Sequence, residues 1–334
     1  MTVKPFRIGT RDSVLATWQA RHIAEILEAA GHRVELHFVK TEGDRVLDTP
    51  LPLMGGKGVF TKALDDALLA HDIDLAVHSL KDIPTNLPDG LVIGAVSKRE
   101  DTADVLVARQ TAVAADQKGK EHRRRLDQGS ISGLVPSFLS NRESVAVIAS
   151  SSNRRIGQWL ARYPRHRMTD IRGNIQTRLK KLVDSDWDGA IFAAAGLKRL
   201  TLDHYITQTL DWMLPAPAQG AMGVMIRKDA HDVLEAILPA HDPDTALCTA
   251  IERDVLHQLQ GGCSAPVGAL AEIDGKMVHL LVNTVYPDGS GMIRFEMSET
   301  RANAGDLGKR AAEEALRRGA DTLIRDLAKW NQKS

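Results

Sequence analysis

Cysteine is scarce in this chain, with Cys248 and Cys263 the two examples among 334 residues. They form no C-x-x-C pair, so we expect neither a disulfide framework nor a zinc site built on cysteine. The 12 histidines show no H-E-x-x-H or comparable spacing, and no bound metal is predicted. Both thiols are expected to be reduced, as they are in the cytoplasm.

Excess charge of one sign and long apolar runs are also lacking. Lys plus Arg and Asp plus Glu number 43 each, so the formal net charge is zero. No global field therefore favours nucleic acid or a membrane surface as a partner. No apolar run approaches the roughly 18 residues of a membrane span, and MTVKPFRIGTRDSVLA lacks the apolar core of a secretory signal. We expect a cytoplasmic protein whose anion binding depends on local clusters of charge.

The first hundred residues predict strands that alternate with helices, judged from apolar periodicity. The strands are 6–9, 34–38, 75–78, 91–96 and 105–108, and the helices are about 15–27 and 61–70. Strands separated by helices indicate a mainly parallel α/β sheet with helices on both faces. The polar, basic stretch from about 110 to 143 breaks this pattern. We interpret it as a solvated insertion rather than a nucleic-acid patch, because no aromatic residues interleave its charges.

A second unit of similar construction follows, and the chain then changes character. Its strands are 145–149 and 190–194, and its helices are about 153–161 and 174–183. The proline-rich LPAPAQG at 214–220 indicates a crossing back or a linker. From Pro243 a helix, strands at 267–273, 277–286 and 293–297, and a terminal helix through Leu316, Leu323 and Trp330 predict a small α+β domain. The predicted division is domain 1 at 1–106 with 221–240, domain 2 at 107–216, and domain 3 at 243–334.

Three segments place arginines and small hydroxyl residues beside predicted helix starts. They contain Arg11 and Ser13, then Ser152, Arg154 and Arg155, then Arg172 and Arg178. Helix N-termini attract anions, and the arginine fork matches a carboxylate bidentately. Taken alone, one such segment is more typical of a capped helix with a surface arginine than of an anion site. Three of them on two α/β domains predict a polyanionic ligand, carrying carboxylates or phosphates, in a cleft between the domains.

His78-Ser79-Leu80-Lys81-Asp82 directly follows a short buried strand. Ligands of open α/β sheets bind beyond the carboxyl ends of strands. A carboxylate beside a lysine at that place can stabilise positive charge on a ligand, or it can be a local ion pair that ends the strand. The segment alone leaves both interpretations open.

Two glycine-rich loops carry further candidates. Gly-Gly-Lys57-Gly lacks the spacing of a phosphate-binding loop, so we reject a nucleotide site and interpret the loop, with Phe60, as a mobile cleft edge. Gly-Gly-Cys263-Ser lies between a predicted helix and strand. A lone cysteine is usually a small buried hydrophobe, but a thiol on a loop can also reach a cleft. Cys248, inside a predicted helix, is interpreted as buried.

These fragments, in their order along the chain, resemble the hydroxymethylbilane synthase (porphobilinogen deaminase) family. The matches are IGTRDSVLATWQA, GGKGVFTKALDDAL, DLAVHSLKDIP, REDTADVLV, IRGNIQTRLKKL, AAAGLKRL and LQGGCSAPVGA. The resemblance covers nearly the whole chain except the insertion near 110–143. It implies two α/β domains like those of periplasmic binding proteins and a small C-terminal α+β domain.

The resemblance also implies the chemistry. The thiol at Cys263 would form a thioether with a dipyrromethane cofactor that primes the condensation of porphobilinogen, and Asp82 would be the main catalytic group. Cofactor contacts would come from Ser79, Lys81, Asp82, Ser152, Arg154, Arg155 and Arg178. Substrate contacts would come from Arg11, Ser13, Arg172, Arg178, Arg199, Lys57 and Phe60. The family expectation is a monomeric transferase.

The chain departs from the family pattern at several positions. Ala149 and Asn153 replace a glycine and a leucine, Ala218 stands where glycine is usual, and Met225 stands where glutamate is common. The nucleophilic and charge-stabilising positions are unchanged. Two alternatives remain at this stage: a divergent, inactive paralogue, and a bilobal anion- or solute-binding protein without catalysis. The absence of an export signal and the presence of Cys263 argue against a periplasmic receptor.

Overall fold

The computed structural model describes residues 4–40, 61–112, 114, 136–140, 143–259 and 265–323. Lys57, Phe60, Cys263 and most of the predicted insertion lie outside these residues. The described strands are β1 (Phe6–Thr10), β2 (Val34–Phe38), β3 (Leu75–Ser79), β4 (Leu91–Val96), β5 (Asp104–Ala108), β6 (Val147–Ala149), β7 (Arg167–Thr169), β8 (Gly189–Ala193), β9 (Gln208–Thr209), β10 (Met222–Arg227), β11 (Val267–Asp274), β12 (Met277–Val285) and β13 (Met292–Thr300). The described helices are α1 (Val14–Ala29), α2 (Lys62–Leu69), α3 (Ser137–Ser140), α4 (Asn153–Arg162), α5 (Ile175–Asp184), α6 (Ala194–Arg199), α7 (His231–Ile237), α8 (Pro243–Gln258) and α9 (Leu307–Arg317).

The first lobe is a five-stranded sheet with the order β2-β1-β3-β10-β4. Helix α1 begins where the Ser13 side chain accepts a hydrogen bond from the Ala16 N–H, a typical N-cap. Its apolar stripe, which includes Ile23 and Leu27, packs with Leu75 and Val224 on one face of the sheet. Helix α2 contributes Leu64 and Leu68 to the other core, so both faces are covered.

The second lobe repeats this plan with the strand order β7-β6-β8-β5-β9. In each sheet three neighbouring strands are parallel, and the next strand, β10 or β5, runs antiparallel. Strands β4 and β9 pair antiparallel with β10 and β5, so they run in the same direction as the other three strands of their sheets. The prediction of mainly parallel sheets is therefore confirmed, and the one antiparallel strand described in each sheet is the strand that arrives from the other lobe. The chain passes from the first lobe to the second at 97–103 and returns to the first lobe at 210–221. The second passage confirms the interpretation of LPAPAQG (214–220) as a crossing back.

Two details of the predicted organisation change. Strand β5 lies entirely in the second sheet, so the first boundary falls before Asp104 rather than between 106 and 107. Strands β7, β9 and β10 were not predicted. Strand β10 pairs within the first sheet and α7 packs against it, and the division of the chain into domains stays a prediction.

The third unit packs α8 and α9 against the antiparallel sheet β11-β12-β13. Asp274-Gly275 forms the predicted tight turn between β11 and β12, with Gly275 at φ +55°. The prediction of one terminal helix through Leu316 and Leu323 is wrong, since α9 ends at Arg317 and Gly319 adopts φ +97°. A residue at this φ ends a helix, and glycine adopts it without strain. In the described part of the chain, no helix is long and apolar enough to cross a membrane.

Candidate active site

The candidate site lies where the strand ends of the first lobe meet the helix starts of the second lobe. Ser13 caps α1, and the Asn174 side chain caps α5 by accepting from the Thr177 N–H at 2.9 Å. Ser152 stands at the start of α4, where its side chain makes no capping hydrogen bond. All three segments predicted to bind anions are therefore helix starts, as expected.

The segment that carries Lys81 and Asp82 is a 3₁₀ turn, Leu80–Asp82, directly after β3. Ser79, the last residue of β3, accepts a hydrogen bond at its Oγ from Gln19 Nε2 at 2.9 Å, so its own hydroxyl proton can be donated elsewhere. Asp82 is exposed. Among the described residues its carboxylate has no hydrogen bond or ion pair. The carboxylate is therefore available to a ligand, and the interpretation of Asp82 as one half of a local ion pair loses its support.

Lys81 is connected to the second lobe through one buried amide. Its Nζ donates to Gln219 Oε1 at 3.0 Å, and Gln219 Nε2 donates to Asp104 Oδ1 at 2.9 Å and to the Thr102 carbonyl at 2.8 Å. The pKa of Lys81 is lowered to about 8 by burial and by the nearby Arg155, against the opposing charges of Asp82 and Asp104.

Asp104 is fully buried at the start of β5 and holds Arg154 and Arg155, the two arginines in the first turn of α4. Arg154 Nη1 donates to Asp104 Oδ2 at 2.6 Å, and Arg155 donates to Oδ1 through Nε at 3.0 Å and Nη2 at 2.7 Å. Burial alone would raise the pKa of Asp104, but the two guanidinium groups hold it well below its usual range. Arg154 also donates to the Leu214 carbonyl, and Arg155 to the Ile191 carbonyl. Both predicted cofactor ligands are thus fixed in place by protein groups.

Asp104 and Gln219 were not identified from the sequence. A carboxylate at the first position of a strand that is otherwise apolar, DVLVA, is unusual enough to indicate a buried partner. Gln219 has no comparable signal beyond its place in the crossing segment, because each of its partners is more than a hundred residues away along the chain.

Arg178 lies in the same electrostatic environment. Its Nε donates to the Gly173 carbonyl at 2.8 Å. The pKa of Arg178 is lowered to about 10 by burial and by Arg155, with Asp82 opposing and Arg172 adding to the decrease. Among the described residues of this environment, positive charge thus exceeds negative charge. The cations are Lys81, Arg154, Arg155, Arg172 and Arg178, and the carboxylates are Asp82 and Asp104.

Arg11 lies near His78 on the first lobe. Burial and the charge of Arg11 together lower the pKa of His78 to about 4, so this imidazole is neutral at physiological pH. His78 Nε2 is buried, without a hydrogen-bond partner in the described structure.

Arg199 has a different environment from the other candidate arginines. Its Nη2 donates to the Gly220 carbonyl at 2.5 Å, and its guanidinium lies 5.7 Å from the centre of the Trp18 ring. These contacts place Arg199, the last residue of α6, against α1 and beside the crossing segment. Its predicted contact with substrate stays a prediction.

Of the two cysteines, Cys248 lies in the described part of the chain. Cys248 is buried in α8, and burial together with the charge of Glu252 raises its pKa to about 11. A thiol with such a pKa is a poor nucleophile, since the thiolate is the reactive form. Cys263 lies outside the described residues, as do Lys57 and Phe60. In the described ranges no group of three or more His, Cys, Asp or Glu side chains is arranged to hold a metal ion.

Comparison with known proteins identifies the family. Residues 6–235 match the family model described as "Porphobilinogen deaminase, dipyromethane cofactor binding domain", and residues 246–317 match "Porphobilinogen deaminase, C-terminal domain". The chain is 41% identical over 326 residues to the porphobilinogen deaminase of a Nitratiruptor species, covering 95% of each protein. It is 39% identical over 331 residues to that of Syntrophobacter fumaroxidans, covering 98% of this chain and 99% of the relative. The chain belongs to the porphobilinogen deaminase family.

Among solved structures, the chain is similar to a probable amino-acid ABC transporter extracellular-binding protein, YtmK from Bacillus subtilis. The two share 12% sequence identity with a TM-score of 0.39, covering 72% of this chain and 90% of the other.

Proposed function

We propose that this protein is a hydroxymethylbilane synthase, a transferase that deaminates four porphobilinogen molecules in turn and joins them head to tail. The product is the linear tetrapyrrole hydroxymethylbilane of haem and chlorophyll biosynthesis. One observation carries the proposal beyond family membership: the Asp82 carboxylate has no hydrogen bond or ion pair in the described structure, yet it stands among an excess of arginine and lysine side chains.

The side chains of the site fit a dipyrromethane. Guanidinium and ammonium groups suit its acetate and propionate side chains, and a carboxylate suits its pyrrole N–H groups. We assign Ser79, Lys81, Ser152, Arg154, Arg155 and Arg178 to the cofactor carboxylates, and Asp82 to the pyrrole nitrogens. When bound through Cys263, the cofactor supplies the pyrrole α-carbon to which the first substrate is joined.

Asp82 is the proposed catalytic residue. When ammonia leaves porphobilinogen, positive charge develops and spreads to the pyrrole nitrogen of the substrate. A carboxylate already in place stabilises that charge without reorganisation, and it can accept and return the protons of deamination and condensation. One preorganised electrostatic group of this kind contributes about 10²–10³ in kcat.

The remaining arginines are assigned to the substrate. Each pyrrole that is added brings two more carboxylates, so a growing chain needs cations beyond those that hold the cofactor. We assign this role to Arg11, Arg172, Arg178 and Arg199, together with Ser13, Lys57 and Phe60. We also propose a monomer, which is what the family resemblance implies, and a cytoplasmic location, which suits a biosynthetic enzyme. Sedimentation of the loaded protein as a dimer at micromolar concentration would contradict the monomer.

A binding protein without catalysis is not favoured by the relatives, whose names are those of an enzyme. An inactive paralogue is likewise not favoured by these relatives, although Ala149 at the end of β6 and Asn153 at the start of α4 depart from the family pattern. The outcome of a turnover assay separates an inactive paralogue from an active enzyme.

Intact mass spectrometry tests the cofactor directly. We expect purified protein to carry the additional mass of one dipyrromethane, and Cys263→Ala to carry none. Cys248→Ala is the matched control: this variant removes the buried, weakly acidic thiol and should keep the adduct. An adduct that survives in Cys263→Ala, or that is lost in Cys248→Ala alone, would disprove the assigned attachment.

Incubation with porphobilinogen then tests catalysis. The active enzyme should show adducts heavier by one, two and three pyrrole units and should release hydroxymethylbilane. Protein that carries dipyrromethane but forms no heavier adduct would identify an inactive paralogue. Protein that takes up no cofactor at all would exclude the proposed function.

A further inference from the structure

Helix α8 joins the third unit to both crossing segments of the lobes. Glu252, fully buried on α8, accepts hydrogen bonds from Arg99 Nη1 and Nη2 at 2.7 and 2.9 Å and from the Ala218 N–H at 2.6 Å. It also accepts from the Ala271 N–H at 2.7 Å, on β11 of its own unit. The Glu252 carboxylate therefore fixes α8 with respect to the backbone between the lobes.

The next residue of α8, Arg253, reaches the turn that carries Lys81 and Asp82. Arg253 Nη1 donates to the carbonyls of Ile83 at 2.8 Å and Leu80 at 3.2 Å, and Nη2 donates to the Pro84 carbonyl at 2.8 Å. One guanidinium thus donates to three carbonyls that lie in the short 3₁₀ turn or directly after it. The contact spans about half the chain in sequence, from residue 80 to residue 253.

The position of Asp82 depends on its backbone. Its carboxylate has no hydrogen bond among the described residues that would fix it from the side. The backbone of the turn is held by the bond from the Leu80 N–H to the Ala221 carbonyl at 3.0 Å, by the Ile83 N–H to Leu80 carbonyl bond at 3.2 Å, and by Arg253. Within the described structure, loss of Arg253 would remove the three hydrogen bonds that hold the carbonyls of Leu80, Ile83 and Pro84 to α8.

We propose that Arg253 is a positioning residue for the reaction: it holds the Leu80–Asp82 turn at a fixed place relative to α8. Helix α8 ends at Gln258, five residues before Cys263. Arg253 therefore couples the catalytic carboxylate to the helix that leads to the cofactor attachment. This inference rests on the role proposed for Asp82.

Arg227 provides a matched control. Its Nη1 donates to the carbonyls of Leu68 and Ile73, each at 3.0 Å. Like Arg253, it is a partly buried arginine that binds backbone carbonyls of the first lobe. Those carbonyls lie near the end of α2 and just before β3, at the end of the sheet opposite the turn. Arg253→Leu and Arg227→Leu each remove a guanidinium that donates to backbone carbonyls of the first lobe. The carbonyls bound by Arg253 lie beside the candidate site, and those bound by Arg227 do not.

Steady-state kinetics of cofactor-loaded, full-length variants test the proposal. A misplacement of about 1 Å can cost about 10² in rate, so we expect kcat of Arg253→Leu to fall by about that factor with KM changed less than about threefold. Arg253→Lys, which keeps a donor but loses the fork, should be intermediate. Arg227→Leu should lose comparable thermal stability with kcat within about twofold of the wild type. Hydrogen exchange of peptides covering 80–86 should increase in Arg253→Leu and stay unchanged in Arg227→Leu.

Equal kcat values for the two leucine variants would overturn the proposal, as would a low rate explained entirely by a smaller loaded fraction. If Arg253→Leu does not fold, Arg253→Lys carries the test, and wild-type kcat in that variant together with unchanged exchange of 80–86 would refute the role. Failure of the proposed function gives a different result, because the wild-type protein itself would then lack the cofactor or form no heavier adducts.

Discussion

Replacing Asp104 with asparagine should destabilise the protein strongly although it changes almost no volume. In the structure the Asp104 carboxylate accepts hydrogen bonds from Arg154 at Oδ2 and from both Arg155 and Gln219 at Oδ1. All three donor side chains are buried. An asparagine can accept at one oxygen, but its amide group would point hydrogen atoms at the donors of the other arginine. Two buried guanidinium groups would then face a neutral side chain.

The magnitude follows from the cost of breaking a buried ion pair, about 3–5 kcal/mol. Folding free energies of about 5–15 kcal/mol leave little reserve for such a loss. The assay is urea unfolding followed by circular dichroism at pH 7. Asp101→Asn is the matched control, since Asp101 pairs with the partly exposed Lys198 and an exposed pair contributes about 1 kcal/mol or less.

The pH dependence provides a second check on the same variant. The pKa of Asp104 is lowered in the folded protein, so its stabilisation is present above the unfolded pKa of about 4 and is lost as the pH falls below it. The advantage of wild type over Asp104→Asn should therefore shrink in acid. A loss below about 1 kcal/mol at pH 7, comparable with that of Asp101→Asn, would refute the reasoning.

Three further predictions concern single residues. Asp82→Asn should retain wild-type stability because Asp82 is exposed, while kcat falls by about 10²–10³; near-normal turnover would remove Asp82 from the mechanism. Ala218 adopts φ +63°, which costs a non-glycine residue about 1–2 kcal/mol. Ala218→Gly relieves this strain but loses about 0.5–1 kcal/mol in backbone entropy and about 0.8 kcal/mol with its buried methyl group. The unfolding free energy should therefore change by less than about 1 kcal/mol, and urea unfolding that shows a loss above about 2 kcal/mol would contradict this. The folded pKa of His78 is depressed to about 4, so folding stability should decline as the pH falls from about 6.5, where the unfolded imidazole takes up its proton. His78→Gln should make that decline shallower, and an identical slope from pH 7 to 5 would count against it.

The sequence predicts the lobes well where strands and helices have strong periodicity. Predicted strand 91–96 agrees with β4, and the predicted starts of α4 and α8 agree with the structure. Strand β10 was missed although it lies inside its sheet, between β3 and β4, because MGVMIR is a nearly continuous buried run without alternation. Strands β7 and β9, of three and two residues, are too short to show any period.

The candidate site was predictable where its residues form local motifs. Ser13 and Asp82 follow strand ends, and parallel strands bring those ends to one edge of a sheet. Asp104, Gln219 and Arg253 have no such motif. Their contacts join residues 50 to 173 positions apart, and this proximity is created by the two crossings of the chain.

The Gln219 side chain also sets a condition on how far the lobes can separate. Its Oε1 accepts a hydrogen bond from Lys81 of the first lobe, and its Nε2 donates one to Asp104 at the start of β5 in the second lobe. One planar group cannot lengthen, so any opening that moves Lys81 away from Asp104 must first break one of these two bonds. If the cleft widens to admit each additional pyrrole, one of these hydrogen bonds breaks at every opening. It would form again once the completed tetrapyrrole is released.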